Sequence, residues 1–183
     1  MERKETPLAG LLLLKPRIFS DDRGAFLESF NQREFARTIG EEIRFVQDNE
    51  SRSRIGVLRG LHFQAAPHAQ GKLVHVVHGA VLDVCVDIRK RSPTYGQHFK
   101  VLLDGDTKEM LWIPPGFAHG FLALEEGTLF SYKCTEYYHP PAERTLAWND
   151  PMLKIDWGTT TPIMSPKDRQ GLSLEALHAE LTS

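Results

Sequence analysis

The chain has 183 residues, 41% hydrophobic and 25% charged, enough to bury one ordinary core and too few to split into two. Its 22 Lys and Arg against 24 Asp and Glu give a net charge of -2, which excludes a global basic field that would recruit nucleic acid or an anionic membrane. Any phosphate recognition must be local, and residues 1–183 read as a single domain.

In chain order, Met1 to Glu5 mix both charge signs, and the apolar run Leu11 to Leu14 is too short for a signal segment or a membrane span. The expected location is the cytoplasm. Asn31 as a cap, Glu34 reaching back to it, Phe35 and Ile39 on one face and Gly40 as a stop predict a short helix. Leu73 to Val77 and Val81 to Ile88 read as two strands about a tight turn at Gly79. In the second strand Leu82, Val84, Val86 and Ile88 share one face and Asp83, Cys85 and Asp87 the other. His98 to Leu103 and Lys108 to Ile113 flank Asp104-Gly105, a short-hairpin signal. Tyr138 to Glu143 predicts a rim loop, and Leu174, Leu177, His178 and Leu181 predict a small amphipathic closing helix. The dense Gly and Pro punctuation makes this an all-β chain, a β-sandwich or jelly-roll barrel with short peripheral helices. Cys85 and Cys134 form neither a CxxC pair nor a disulfide framework and are expected to be free structural thiols.

Two glycine-punctuated segments each present a histidine: Gly56 to Gln64, GVLRGLHFQ, and Ile113 to Phe121, IPPGFAHGF. The second fits the Pro-x-Gly-x-x-His element of cupin jelly rolls, where that histidine binds a metal. Where metal-binding members carry His-x-His and then a carboxylate, this chain has His62-Phe-Gln64 and Lys72. A lysine ammonium, with a pKa near about 10.4, neither ligates nor tolerates a dication beside it, so no metal is expected. Two histidines and a lysine suit proton removal and stabilisation of the anion that results.

Taken in order, those blocks with Gly71 to Val74, Asp83 to Arg89, Ser92 to Gly96, Tyr132 to Tyr138 and Ser165 to Asp168 resemble the dTDP-4-dehydrorhamnose 3,5-epimerases along nearly the whole chain. The resemblance implies a dTDP-4-keto-6-deoxysugar substrate, inverted at C3 and C5 through enolates and without a cofactor. It implies His62 as base, Tyr132 as acid on the opposite face and Asp168 as the carboxylate that orients His62. Lys72 and His119 would stabilise the enolate, and Arg59 and Arg23 would hold the diphosphate. Tyr138 would stack on thymine, Glu28, Gln47, Asn49, Glu143 and Lys167 would contact nucleotide or sugar, and Phe19 and Phe26 would line the same cleft. It further implies a homodimer in which the N-terminal portion of one subunit helps build its partner's sheet and site, so that Arg23 and Glu28 would act on a neighbour's substrate.

Asp83 is equally compatible with a hydrogen bond to a site histidine and with a turn-facing role, and stays outside the catalytic set. The same signatures occur in relatives that invert only C3 or only C5. A metal-dependent cupin enzyme and a non-catalytic nucleotide-sugar-binding module are the remaining alternatives.

Overall fold

The computed structural model describes residues 1–180. The strands are β1 (Glu2–Glu5), β2 (Leu12–Lys15), β3 (Ile18–Asp21), β4 (Gly24–Leu27), β5 (Gln47–Ser53), β6 (Leu58–Gln64), β7 (Lys72–His78), β8 (Ala80–Asp87), β9 (His98–Asp104), β10 (Met110–Ile113), β11 (Phe117–Ala123), β12 (Thr128–Cys134) and β13 (Glu143–Thr145). Helix α1 (Gln32–Ile39) lies between β4 and β5, and α2 (Leu174–Glu180) comes last. Among the described residues the strands make a six-stranded sheet, β1-β2-β10-β7-β12-β5, a five-stranded sheet, β13-β6-β11-β8-β9, and the separate hairpin β3-β4. The predicted all-β double-sheet architecture holds.

Three apolar layers explain the arrangement. Val74, Val76, Val81, Cys85, Leu103, Leu111, Phe121 and Phe130 fill the space between the sheets. Behind the five-stranded sheet, Leu58, Leu61, Phe63, Val84 and Val86 meet Leu146, Leu153, Trp157, Leu174 and Leu177 of the C-terminal segment. Behind the six-stranded sheet, Leu12, Leu14, Leu73, Met110 and Trp112 lie under Phe35 of α1. Each fully buried side chain of this kind contributes roughly 1.5–3 kcal/mol, so both outer covers matter as much as the central layer. Strand β8 is consequently buried on both faces, and Asp83 and Asp87 are shut from solvent.

Two expected hairpins are crossovers instead. Strands β7 and β8 flank Gly79 as predicted but belong to different sheets, and the same is true of β9 and β10 about Asp104-Gly105. The Asp104 carboxylate accepts from the backbone N–H of Asp106 at 2.9 Å and of Thr107 at 2.7 Å, folding the turn on itself. The chain then leaves one sheet for the other, where β10 finds β2 and β7.

Helix α1 starts where Asn31 Oδ1 accepts from the backbone of Arg33 and Glu34, at 3.1 and 3.2 Å, and stops at Gly40, whose φ of 83° is left-handed. Glu34 does not reach back to Asn31. Its carboxylate takes stronger, charged donors, the Met1 ammonium at 2.6 Å and Arg37 at 2.9 Å. Helix α2 buries Leu174 and Leu177 as expected, with the Leu174 N–H donating to Asp150 at 2.6 Å; Leu181 lies outside the described residues.

Strands β6 and β11 approach unusually closely. A side chain on Gly60 would meet Gly120 Cα at 2.5 Å, and one on Gly120 would meet the Arg59 carbonyl at 2.7 Å. Only glycine on both strands permits this contact, which sets His62 directly opposite His119 in the pairing register.

Candidate active site

Each of those histidines turns to its own carboxylate. His62 Nε2 hydrogen-bonds Asp168 Oδ1, and Ser165 Oγ holds the other carboxylate oxygen at 2.8 Å. Burial alone would raise the Asp168 pKa; the bonds to His62 and Ser165 outweigh it and hold the carboxyl below its ordinary value. An ionised Asp168 accepts the Nε2 proton and leaves the His62 lone pair on Nδ1, the nitrogen available to take a proton. Across the pairing, His119 Nε2 lies 2.8 Å from Asp83 Oδ2, on the neighbouring strand β8. His62 keeps 30% of its side chain exposed, whereas His119 keeps 8%. The first ring is thus open to the cleft, and the second is enclosed against its carboxylate.

The opposite wall belongs to the six-stranded sheet. Tyr132 on β12 pairs in register with Asn49 on β5 and Val74 on β7. Burial raises the Tyr132 phenol above its ordinary value, which keeps it a proton donor. Lys72, at the start of β7, has its pKa lowered by burial, the charges of Cys134, Cys85, Glu143 and Asp83 offsetting only part of that cost. Gln47, Asn49 and Ser51 alternate along β5 and face the cleft, Gln47 Nε2 donating to Asn49 Oδ1 at 2.9 Å. Ser51 Oγ is buried there without a partner among the described residues.

At the rim the Tyr138 hydroxyl donates to Glu143 Oε2 at 2.5 Å, and Glu143 also pairs with Lys167. Burial would raise the Glu143 carboxyl, but Lys167 and Tyr138 bring it below its usual range. The cleft has two adjoining lobes that share His62, Lys72, Tyr132 and Glu143. The outer lobe, about 280 Å³, adds Gln47, Asn49, Gln64 and Tyr138. The inner, about 320 Å³, adds Arg59, His119, Phe130, Lys167 and Asp168.

The structure thus gathers Gln47, Asn49, Arg59, His62, Lys72, His119, Tyr132, Tyr138, Glu143, Lys167 and Asp168 around one cavity. It does not bring Arg23 or Glu28 to the cleft of their own chain. Arg23 sits at the tip of the β3-β4 hairpin, 90% exposed and paired with Asp21, and Glu28 accepts from Asn31 at 3.1 Å. Phe19 and Phe26 of that hairpin are exposed at 47% and 66%, and they too lie away from the cleft. Ser51 and Gln64 line the cleft and the buried Asp83 backs it through His119; the sequence reading places none of the three in the site. The shared face of Asp83 and Cys85 and the alternation of Gln47, Asn49 and Ser51 were the available signals.

Among the described residues one group has the makings of a metal site, Asp83, Cys85 and His119, whose ligand atoms lie within 4.8 Å of one another. Its chemistry does not suit a dication. Asp83 already pairs with His119, burial pushes the Cys85 thiol well up, and the Lys72 ammonium is close enough to act on both Asp83 and Cys85.

A double-sheet barrel whose cleft sets a histidine–carboxylate pair on one wall and a phenol with a lysine on the other has the architecture of the cupin-like jelly-roll class. Residues 5–176 match the dTDP-4-dehydrorhamnose 3,5-epimerase family, and the chain belongs to it. The chain is 52% identical over 173 residues to the dTDP-4-dehydrorhamnose 3,5-epimerase of Escherichia coli, covering 94% of each chain. It superimposes with a TM-score of 0.94 and 48% identity on the dTDP-6-deoxy-D-glucose-3,5-epimerase of Legionella pneumophila in complex with dTDP-4-keto-L-rhamnose, covering 98% of this chain and 96% of that one. A 3'-monoepimerase from Streptomyces bikiniensis in complex with dTDP-quinovose is similar at 31% identity and a TM-score of 0.91, with 96% and 89% covered.

Proposed function

We propose that the chain epimerises dTDP-4-dehydro-6-deoxy-D-glucose at C3 and C5 to dTDP-4-dehydro-L-rhamnose, a step of dTDP-L-rhamnose biosynthesis carried out in the cytoplasm. The observation that carries this reading is the placement of His62 and Tyr132 on opposing sheets around one cavity. Inversion needs a proton removed from one face of the sugar and returned to the other, and both C3 and C5 adjoin the C4 ketone. His62, oriented by Asp168, removes the proton; the electrons pass to the C4 oxygen, where Lys72 and His119 stabilise the enolate; Tyr132 protonates the carbon from the far wall. A donor at such an oxyanion is worth on the order of ~3 kcal/mol. Arg59 holds the diphosphate with its planar donor set, Tyr138 stacks on thymine, and Gln47, Asn49, Glu143 and Lys167 contact nucleotide or sugar.

Proton NMR of the substrate with enzyme in deuterated water tests this. Deuterium entering both C3 and C5 is the expected result; label at one carbon alone would make the chain a mono-epimerase, the reading its likeness to the Streptomyces bikiniensis enzyme keeps as the alternative.

The proposed assembly is a homodimer in which the N-terminal segment is exchanged, so that Arg23 and Glu28 serve the neighbour's cleft. Its support is the hairpin β3-β4, which pairs with neither large sheet and holds Phe19, Phe26 and Arg23 out from the barrel. Sedimentation at micromolar concentration is expected to give a dimer, and a monomer would overturn the arrangement. Among the described residues no helix is long and apolar enough to cross a membrane.

A further inference from the structure

Gln64 follows His62 by two residues on β6, is only 5% exposed and spends its whole amide on backbone. Its Nε2 donates to the His68 carbonyl at 2.7 Å and to the Tyr137 carbonyl at 3.2 Å. Its Oε1 accepts from the His139 N–H at 2.7 Å. The reverse amide orientation would set an oxygen against two carbonyls, so the three bonds define how the group points. The Tyr138 N–H, between the two gripped neighbours, donates to Gln47 Oε1 at 2.9 Å.

Tyr138 therefore hangs on a loop whose backbone is held on both sides by Gln64. The base of the loop is tied separately through Gly71 and Thr135: the Gly71 N–H donates to the Thr135 hydroxyl at 2.8 Å and the Thr135 N–H to the Gly71 carbonyl at 3.0 Å. Outside the grip, the His68 and His139 rings stack at 3.8 Å. A buried amide with its donors and acceptor all engaged on one loop pair fixes that loop relative to its own strand, and this strand carries His62.

We propose that Gln64 is a positioning residue for nucleotide recognition: it locks the Tyr138 loop to the catalytic strand, so that the base-binding ring and His62 keep a constant separation. The proposal rests on the stacking role given to Tyr138 above. The Gln64 amide is spent on backbone, so its effect passes through Tyr138.

The test is a double-mutant cycle on the full chain, with KM and kcat measured on the dTDP-4-keto-6-deoxysugar. Gln64→Met is expected to raise KM about tenfold, the scale of one base–aromatic stack, with kcat within about twofold of the parent. Tyr138→Ala raises KM similarly, and the double variant is no worse than Tyr138→Ala alone, because nothing is left to position. Effects that multiply, or a Gln64→Met loss confined to kcat, overturn the proposal. An unchanged KM in Tyr138→Ala instead overturns the stacking role and leaves Gln64 nothing to act through. Should Gln64→Met fail to fold, Gln64→Glu carries the same cycle: it keeps the shape and the bond from His139 but turns a carboxylate on the His68 and Tyr137 carbonyls.

Discussion

His62 and His119 are direct cross-strand partners on β6 and β11, yet their rings bond carboxylates from different directions, Asp168 from a turn near the end of the chain and Asp83 from the adjacent strand. One pairing thus delivers two histidines with different duties. In the proposed reaction the more exposed one exchanges the proton, and the buried one lies beside the enolate.

Asp168→Asn tests the first duty. The amide preserves the shape but cannot hold the imidazolium or enforce the tautomer that leaves Nδ1 unprotonated. A kcat reduced by about a hundredfold or more is expected, with stability little changed, measured by the rate of solvent deuterium entry at C3 and C5.

Tyr132→Phe separates proton removal from proton return. His62 still forms the enolate, but no acid faces it across the cleft, so reprotonation falls back on the side of departure. Deuterium is expected to enter the starting sugar faster than inverted product appears; equal slowing of both would remove Tyr132 from the acid role.

Burial gives the free enzyme an alkaline limit. Lys72 is protonated below its lowered pKa and loses its charge as pH rises through it, before the range of an ordinary lysine near about 10.4. Burial also raises the Tyr132 phenol, which moves its own proton loss to higher pH. The fall in kcat/KM at high pH is expected to follow Lys72, and Lys72→Arg should move it upward while lowering the plateau. A limb unmoved by that substitution would assign it to another group.

Asp87 predicts an acid limit of a different kind, on stability. It is fully buried, bonded by Arg89 at 2.7 Å and by Ser92 and Thr94 at 2.6 Å each, and its pKa is lowered to about 2 although burial alone would raise it. A depressed carboxyl stabilises the fold above its unfolded value near about 4, and that contribution fades as pH falls toward 2. The contribution is about 2 kcal/mol at neutral pH. Asp87→Asn should lose it, and urea unfolding between pH 4 and 2 should then depend less on pH than in the parent.

How much of this was legible beforehand differs by kind of residue. His62, His119, Tyr132 and Lys72 stand in glycine-rich or strand-like blocks whose order identifies them, and the cap at Asn31 is a local signal that a local structure obeys. Asp83 was ambiguous because β8 is covered on both faces, so alternation could not say which side met the histidine. The turns at Gly79 and Asp104-Gly105 were recognised, but not that they lead into the facing sheet; strand partners are chosen by the whole barrel, which a turn signal does not encode. In the sequence Gln64 stands where a metal ligand would be missing; its three bonds are to backbone, whose approach no side-chain pattern announces.

The His62 dyad joins residues 106 positions apart, whereas the His119 dyad spans 36. During folding the shorter loop closes at the lesser entropic cost and needs only the pairing of β8 with β11. The longer one requires the segment around Ser165 to lie beside β6. A chain with its sheets formed but its final segment undocked would therefore hold the His119–Asp83 pair while leaving His62 without its carboxylate.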